Sequence, residues 1–230
     1  MPTSGSDEVY GPAPAKTLYD HAYRALYDAI LHGRLKPGTR ILQAEVSEAL
    51  GISRGPLREA MSRLESEGLL VTTAQRGMRV AIASGEDVVG LYMVRAVLEG
   101  FAAASGLDRI RASVLPVLRQ ELEPMARAAS QGAWADVADL DARWHSRIVE
   151  AYGNDRLLAV WSKANAPLRV VFAMAAPSFY QQDDVQRRHG ELLELLAEAR
   201  PAEIETAIRL HYRESAETFA RFIDSQTERK

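Results

Sequence analysis

At 230 residues, 47% of them hydrophobic, the chain has room for one large domain or two modest ones and enough apolar side chains to rule out wholesale disorder. It contains no cysteine, which excludes a disulfide framework and any thiolate metal site. The formal net charge of −3 is unevenly spread: residues 16–83 hold ten Lys/Arg against seven Asp/Glu, a balance of +3, while residues 84–230 balance at −4. Such a distribution argues against indiscriminate coating of nucleic acid and leaves room for a basic binding module at the N-terminal end. No apolar run of about 18 residues and no signal-peptide pattern is read, so the expectation is a soluble, cytoplasmic chain with no membrane partner.

Residues 1–15 are rich in Pro, Gly and Ala without an apolar period and read as a disordered arm. Leu18, Ala22, Leu26, Ala29 and Ile30 recur at helical spacing until Gly33 stops them. LKPGTR is a turn. A short helix follows with Val46, Ala49 and Leu50 inward and Gly51 as its stop. Ser53 is a natural N-cap for the next helix, whose inward face is Leu57, Ala60, Met61 and Leu64. LLVTT and MRVAI then read as two strands joined by AQRG. Three helices, two of them joined by a tight glycine turn, followed by a hairpin give the order of a winged helix-turn-helix over 16–83.

With Leu57 inward, Arg54 and Arg58 project from one flank at the opening of the recognition helix, with Pro56 tolerated in the first turn. Free N–H groups there favour phosphate, and the guanidinium fork suits phosphate or guanine edges. The plainer alternative is a solvated face with Arg–Glu pairs to Glu59 and Glu65. The stretches LYDAILHGRLKPGTRI, SEALGISRGPLREAMSRLESEGLL and QRGMRVA resemble the DNA-binding domain of GntR-type bacterial transcription regulators. That resemblance implies operator contacts by Arg54 and Arg58, Ser53 and Gly55 at the helix entrance, and Arg76 and Gly77 at the wing tip in the minor groove. It also marks a departure: Ala44 stands where an arginine is usual.

After ASGE the chain reads as an all-helical bundle of six amphipathic segments, roughly 86–105, 109–131, 133–152, 154–175, 182–199 and 201–225. Val137, Trp144, Ile148 and Tyr152 form one inward stripe, with Asp141 and His145 inside it. His189 falls among Val185, Leu192, Leu193 and Leu196, and His211 among Ile204, Ile208, Phe219 and Phe222. A carboxylate and imidazoles inside a bundle are costly unless paired. Either they are ordinary core histidines with Asp141 bonded to one of them, or they share a metal ion such as zinc, nickel, manganese or iron.

DLDARWHSRIVEAYGN, RRHGELLELL and IRLHYRES are similar to the ligand-binding domain of the FCD subgroup of GntR regulators. This implies that Asp141, His145, His189 and His211 hold a divalent metal, with Trp144 where Phe is usual. Six helices would point to the VanR-type branch. Arg95, in MVRAVLEGFAA, is a candidate clamp for an effector carboxylate, with a pair to Glu99 as the alternative. Asn165 and Arg169 also fall near an inward face. The expected protein is therefore a mainly α chain with an effector-binding and dimerisation domain over 84–230. It would be a metabolite-responsive regulator, a repressor, bound as a homodimer to a palindromic operator and answering to a small organic acid. A metal sensor, or a metal-dependent hydrolase on the same residues, is the alternative.

Overall fold

The computed structural model describes residues 18–73, 77–81, 83–181 and 183–227. The arm, Arg76 and the rest of the wing tip lie outside these residues. Helices α1 (Leu18–Leu31), α2 (Gln43–Leu50) and α3 (Arg54–Ser66) are followed by β2 (Leu70–Thr73) and β3 (Gly77–Val80). A short strand β1 (Arg40–Ile41) makes the sheet three-stranded and antiparallel, in the order β1-β3-β2. Two residues are too few for an alternation signal, so the sequence pattern alone reads β1 as part of the turn. Ala22, Leu26 and Ile30 of α1 pack on Leu57, Ala60, Met61 and Leu64 of α3, with Leu70 and Val80 closing the core beneath the sheet. Helix α2 contributes less than expected: Val46 and Leu50 are half-buried against this core and Ala49 is exposed.

The second domain begins where Ser84 and Asp87 form a reciprocal capping box, fixing the start of α4 (Gly85–Ser105). The single turn α5 (Leu107–Arg109) and a π-helical turn (Ile110–Val114) lead into α6 (Leu115–Ser130). Pro116 explains that widened turn, because its ring cannot donate to, and would collide with, the carbonyl four residues back. Then come α7 (Trp134–Ala151), α8 (Asp155–Ser162), α9 (Asn165–Phe179), α10 (Asp184–Glu198) and α11 (Pro201–Thr227).

The expected segment 154–175 is thus two helices. Pro167 lacks the N–H that would bond back across residues 163–164, and it is accommodated in the first turn of a new helix. Among the described residues the bundle therefore has seven helices of two turns or more, and the helix count gives no support to a VanR-type branch.

Helix α4 is long and apolar enough to cross a membrane by length and composition, contrary to the expectation of no such run. It packs along α11, with Val88, Tyr92 and Ala96 in the main core, and carries Arg95 and Glu99 on its buried side. A core helix of a globular bundle has these properties. The two domains meet through α9: Ala166 and Val170 belong to the core of the N-terminal domain, and Arg169 pairs with Asp139 of α7 while lying 5.2 Å from the Tyr27 ring of α1.

Candidate functional site

The candidate DNA-facing surface is built on the turn between α2 and α3. Gly51 adopts φ +64°, a left-handed conformation that costs glycine little, and Ile52 N–H returns to the Ser47 carbonyl. This turn delivers Ser53 in extended conformation, followed at once by Arg54 and Gly55. The Ser53 hydroxyl makes no capping bond, contrary to the sequence expectation, and is free for an outside partner. Arg54 and Arg58 are both exposed, and neither pairs with a carboxylate among the described residues. Glu65 is engaged by the backbone and hydroxyl of Thr72 at 3.2 and 2.6 Å, which removes one partner of the plainer alternative. Gly77 opens β3 against Arg40: a Cβ there would stand 3.3 Å from Arg40 Nε. Arg40 also has no carboxylate partner among the described residues. Ala44 is exposed on α2 and adds no cation.

In the bundle, α7, α10 and α11 bring His145, His189 and His211 together with one ring nitrogen of each within 4.8 Å of the others. Asp141 joins them, its Oδ1 3.1 Å from His189 Nε2 and 3.7 Å from His145 Nε2. His145 is fully buried, His189 nearly so, and the Asp141 side chain is 16% exposed. Trp144 stands edge-on to His145 and His189 at 5.0 and 4.9 Å, and its indole N–H donates to the Leu118 carbonyl at 3.1 Å. That bond satisfies the indole N–H inside the core.

Protons decide what this arrangement can do. The Val185 carbonyl can only accept, so at 2.8 Å it places a proton on His189 Nδ1 and leaves Nε2 as a lone pair when the ring is neutral. Glu99 at 2.6 Å does the same for His145, whose Nε2 is buried without a hydrogen-bond partner. His145 Nε2 thus faces Asp141 without a hydrogen-bond partner, while His189 Nε2 lies within hydrogen-bonding distance of Asp141 Oδ1 at 3.1 Å. Burial alone would raise the Asp141 carboxyl, but His145, His189 and Arg95 outweigh it and hold the group well below the usual carboxylate range. His211 is pushed well below the usual imidazole range by burial and then by the other two histidines, which keeps it neutral. A divalent cation satisfies every one of these acceptors at once. Ligand atoms about 2.0–2.2 Å from a shared ion stand roughly 3 Å or more apart, the scale of the Asp141 contacts. The donor set fits a metal.

Arg95 is 2% exposed and lies over the rings of Trp161 and Tyr212 at 4.6 and 4.9 Å. Its Nε and one Nη have no hydrogen-bond partner, and no ion pair joins it to Glu99, so that alternative does not hold. Burial disfavours its charge, and Tyr212, Asp141, Glu99 and Tyr92 together more than restore it. The cavity at the histidines is lined also by Tyr92, Phe172, Tyr180 and Arg188. Sequence spacing gives no role to Arg188, although it stands beside His189 in RRHGELLELL. Its guanidinium reaches Glu214 at 2.6 Å and the His211 carbonyl at 2.8 Å. Arg169 and Asn165 do not line this cavity; Arg169 is turned to the domain joint instead.

Comparison with known proteins gives these sites their context. Residues 18–80 match the family described as bacterial regulatory proteins, gntR family, and residues 90–214 match the FCD domain. The chain is 27% identical over 177 residues to the HTH-type transcriptional regulator YdhC of Bacillus subtilis, covering 76% of this chain and 79% of that protein. It is 25% identical over 205 residues to the HTH-type transcriptional repressor RspR of Escherichia coli, covering 89% and 90%. A GntR transcriptional regulator from Rhodococcus sp. RHA1 shares the fold at a TM-score of 0.72 and 21% identity, over 87% of this chain and 96% of that one. The chain belongs to the GntR family of bacterial transcription regulators, with an FCD domain behind its winged helix-turn-helix, and is a DNA-binding regulator and not an enzyme.

Proposed function

We propose that this regulator is a cytoplasmic repressor that binds a palindromic operator as a homodimer through residues 16–83. Residues 84–230 hold one divalent metal on Asp141, His145, His189 and His211. The observation that carries the reading is the convergence of three imidazole nitrogens within 4.8 Å, with the Asp141 carboxylate beside two of them and His145 Nε2 buried without a hydrogen-bond partner. Bound there, the ion supplies a positive centre that a small organic acid completes. Arg95, buried with two unpartnered nitrogens, is the counter-charge for the acid's carboxylate. Ser53, Arg54, Gly55 and Arg58 face the operator, and Arg76 and Gly77 form the wing's contribution.

One observation favours a second reading, in which the ion itself is the signal. The enclosed space at the histidines is about 20 Å³, enough for about one water-sized occupant. Titrating operator affinity against zinc, nickel and manganese, with and without a panel of small organic acids, separates the two. A change that needs the acid supports the effector reading, and a full change with metal alone supports the sensor.

The dimer face is the outer side of α4, where Met93, Val94, Val97 and Phe101 are 62%, 47%, 45% and 47% exposed. A contiguous apolar stripe of this kind on a water-exposed helix calls for a partner, and a second copy supplies twofold pairing. Val97→Glu in the full chain should shift micromolar protein from dimer to monomer in sedimentation velocity, with the circular dichroism spectrum unchanged. A variant that stays dimeric moves the interface elsewhere.

Coupling between the domains runs through α7 and α9. Asp139 lies two residues before Asp141 and holds Arg169, which covers Tyr27 of the DNA-binding domain. Arg169→Ala is expected to leave folding and metal content intact and to reduce the effector-dependent change in operator affinity by about 0.5–2 kcal/mol. An unaltered effector response would remove this contact from the route.

A further inference from the structure

Glu99 is not among the four residues that face the metal position, yet it is a fully buried carboxylate. Taking a carboxylate out of water is costly unless its oxygens are satisfied. Both are: Oε1 meets His145 Nδ1 at 2.6 Å, and Oε2 accepts from the Tyr212 hydroxyl at 2.5 Å. Arg95, one turn earlier on α4, forms no ion pair with it. Glu99 therefore joins α4 to α7 and α11 through two short polar contacts.

The direction of the first contact matters most. An ionised carboxylate only accepts, so His145 must carry its proton on Nδ1 and its lone pair on Nε2. Nε2 is the atom that faces Asp141 and has no hydrogen-bond partner. His189 is oriented by a different device, the neutral carbonyl of Val185. A carboxylate behind an imidazole also makes it a more basic ligand than a carbonyl does.

We propose that Glu99 is the positioning residue of the metal centre. By accepting the Nδ1 proton of His145 it fixes tautomer, ring orientation and basicity so that Nε2 is presented to a divalent cation, and Tyr212 holds the Glu99 carboxylate in that pose. The proposal rests on the metal reading above and assigns unequal strength within the donor set. His145 is the ligand whose affinity is set from behind, and the helix that sets it is α4.

The test measures zinc affinity of the full chain by competition with a chromophoric chelator, and records the visible absorption of the cobalt-substituted protein, for wild type, Glu99→Gln and Tyr212→Phe. Glu99→Gln keeps a side chain of the same size and an acceptor oxygen but loses the charge. It should fold, still take one ion per chain, bind zinc about 10–100-fold more weakly, and show a displaced cobalt band. Tyr212→Phe should move both readouts in the same direction by a smaller amount. A purely structural Glu99 would lower the melting temperature without altering the cobalt spectrum.

Wild type that binds no ion overturns the metal reading itself. Wild type that binds, with a folded Glu99→Gln equal to it in affinity and spectrum, overturns the positioning role and leaves the metal reading standing. Should Glu99→Gln fail to fold, Tyr212→Phe decides: an unchanged affinity and cobalt band in that variant overturns the proposal.

Discussion

His145→Ala, purified and desalted after incubation with zinc, nickel or manganese, is expected to retain little or none of the ion that wild type keeps, and His211→Ala to behave alike. Each substitution removes one of three imidazoles whose ring nitrogens lie within 4.8 Å of one another, and a site that loses a ligand loses most of its affinity. The second readout is thermal. A metal that binds only the folded bundle stabilises it by about 2.7 kcal/mol at a hundredfold excess over its dissociation constant. For a chain of this size that is about 5–10 °C in melting temperature. Chelation should remove that increment from wild type and leave the variants unmoved. Acid should act like the chelator, since protons compete with the ion for the ligating imidazoles. The core of the winged domain, which Ala166 and Val170 of α9 join, lies outside the metal position and should stay folded throughout. Identical melting of wild type with and without chelator would return the three histidines to an ordinary core role.

The other large effect belongs to the recognition helix. Arg58→Ala should weaken operator binding by about 1–3 kcal/mol, roughly 5- to 150-fold, if its guanidinium grips a base edge with both prongs. The same change at Arg54, in the first helical turn, should weaken operator and random duplex more evenly and flatten the salt dependence, as befits a phosphate contact. Both side chains are exposed and free of carboxylate partners among the described residues, so their removal breaks no internal ion pair. Gel shifts at fixed salt on a duplex selected from a random library measure this, with circular dichroism as the folding control. A folded Arg54→Ala/Arg58→Ala double variant that binds like wild type would remove α3 from the DNA interface.

Much of the recognition helix and of the histidine cluster is legible in the amino-acid sequence. The stripe Leu57, Ala60, Met61 and Leu64 is buried as its spacing implies, which places Arg54 and Arg58 on the outer flank. The three histidines lie on apolar stripes, and the fold brings them together. Features without a sequence signal are those whose cause is not periodic. Strand β1 is too short to alternate, and it exists because β3 offers it an edge. Pro167 breaks a stripe that hydrophobic spacing alone carries through residues 154–175. Glu99 is legible only as a possible partner of Arg95 at i, i+4, since nothing in the sequence says that α7 and α11 deliver His145 and Tyr212 to its two oxygens. Arg188 is hidden in a charged run that looks solvated, and its burial comes from α11 folding over it.

The most direct measurement is operator affinity of the wild-type protein by fluorescence anisotropy in three states: chelated, metal-loaded, and metal-loaded with each of a panel of small organic acids. The account predicts that at least one acid changes the dissociation constant by about 5- to 150-fold. It predicts that the effect vanishes in the chelated protein and in His145→Ala. An operator affinity that is the same in all three states, for a protein that does carry one ion per chain, would contradict it.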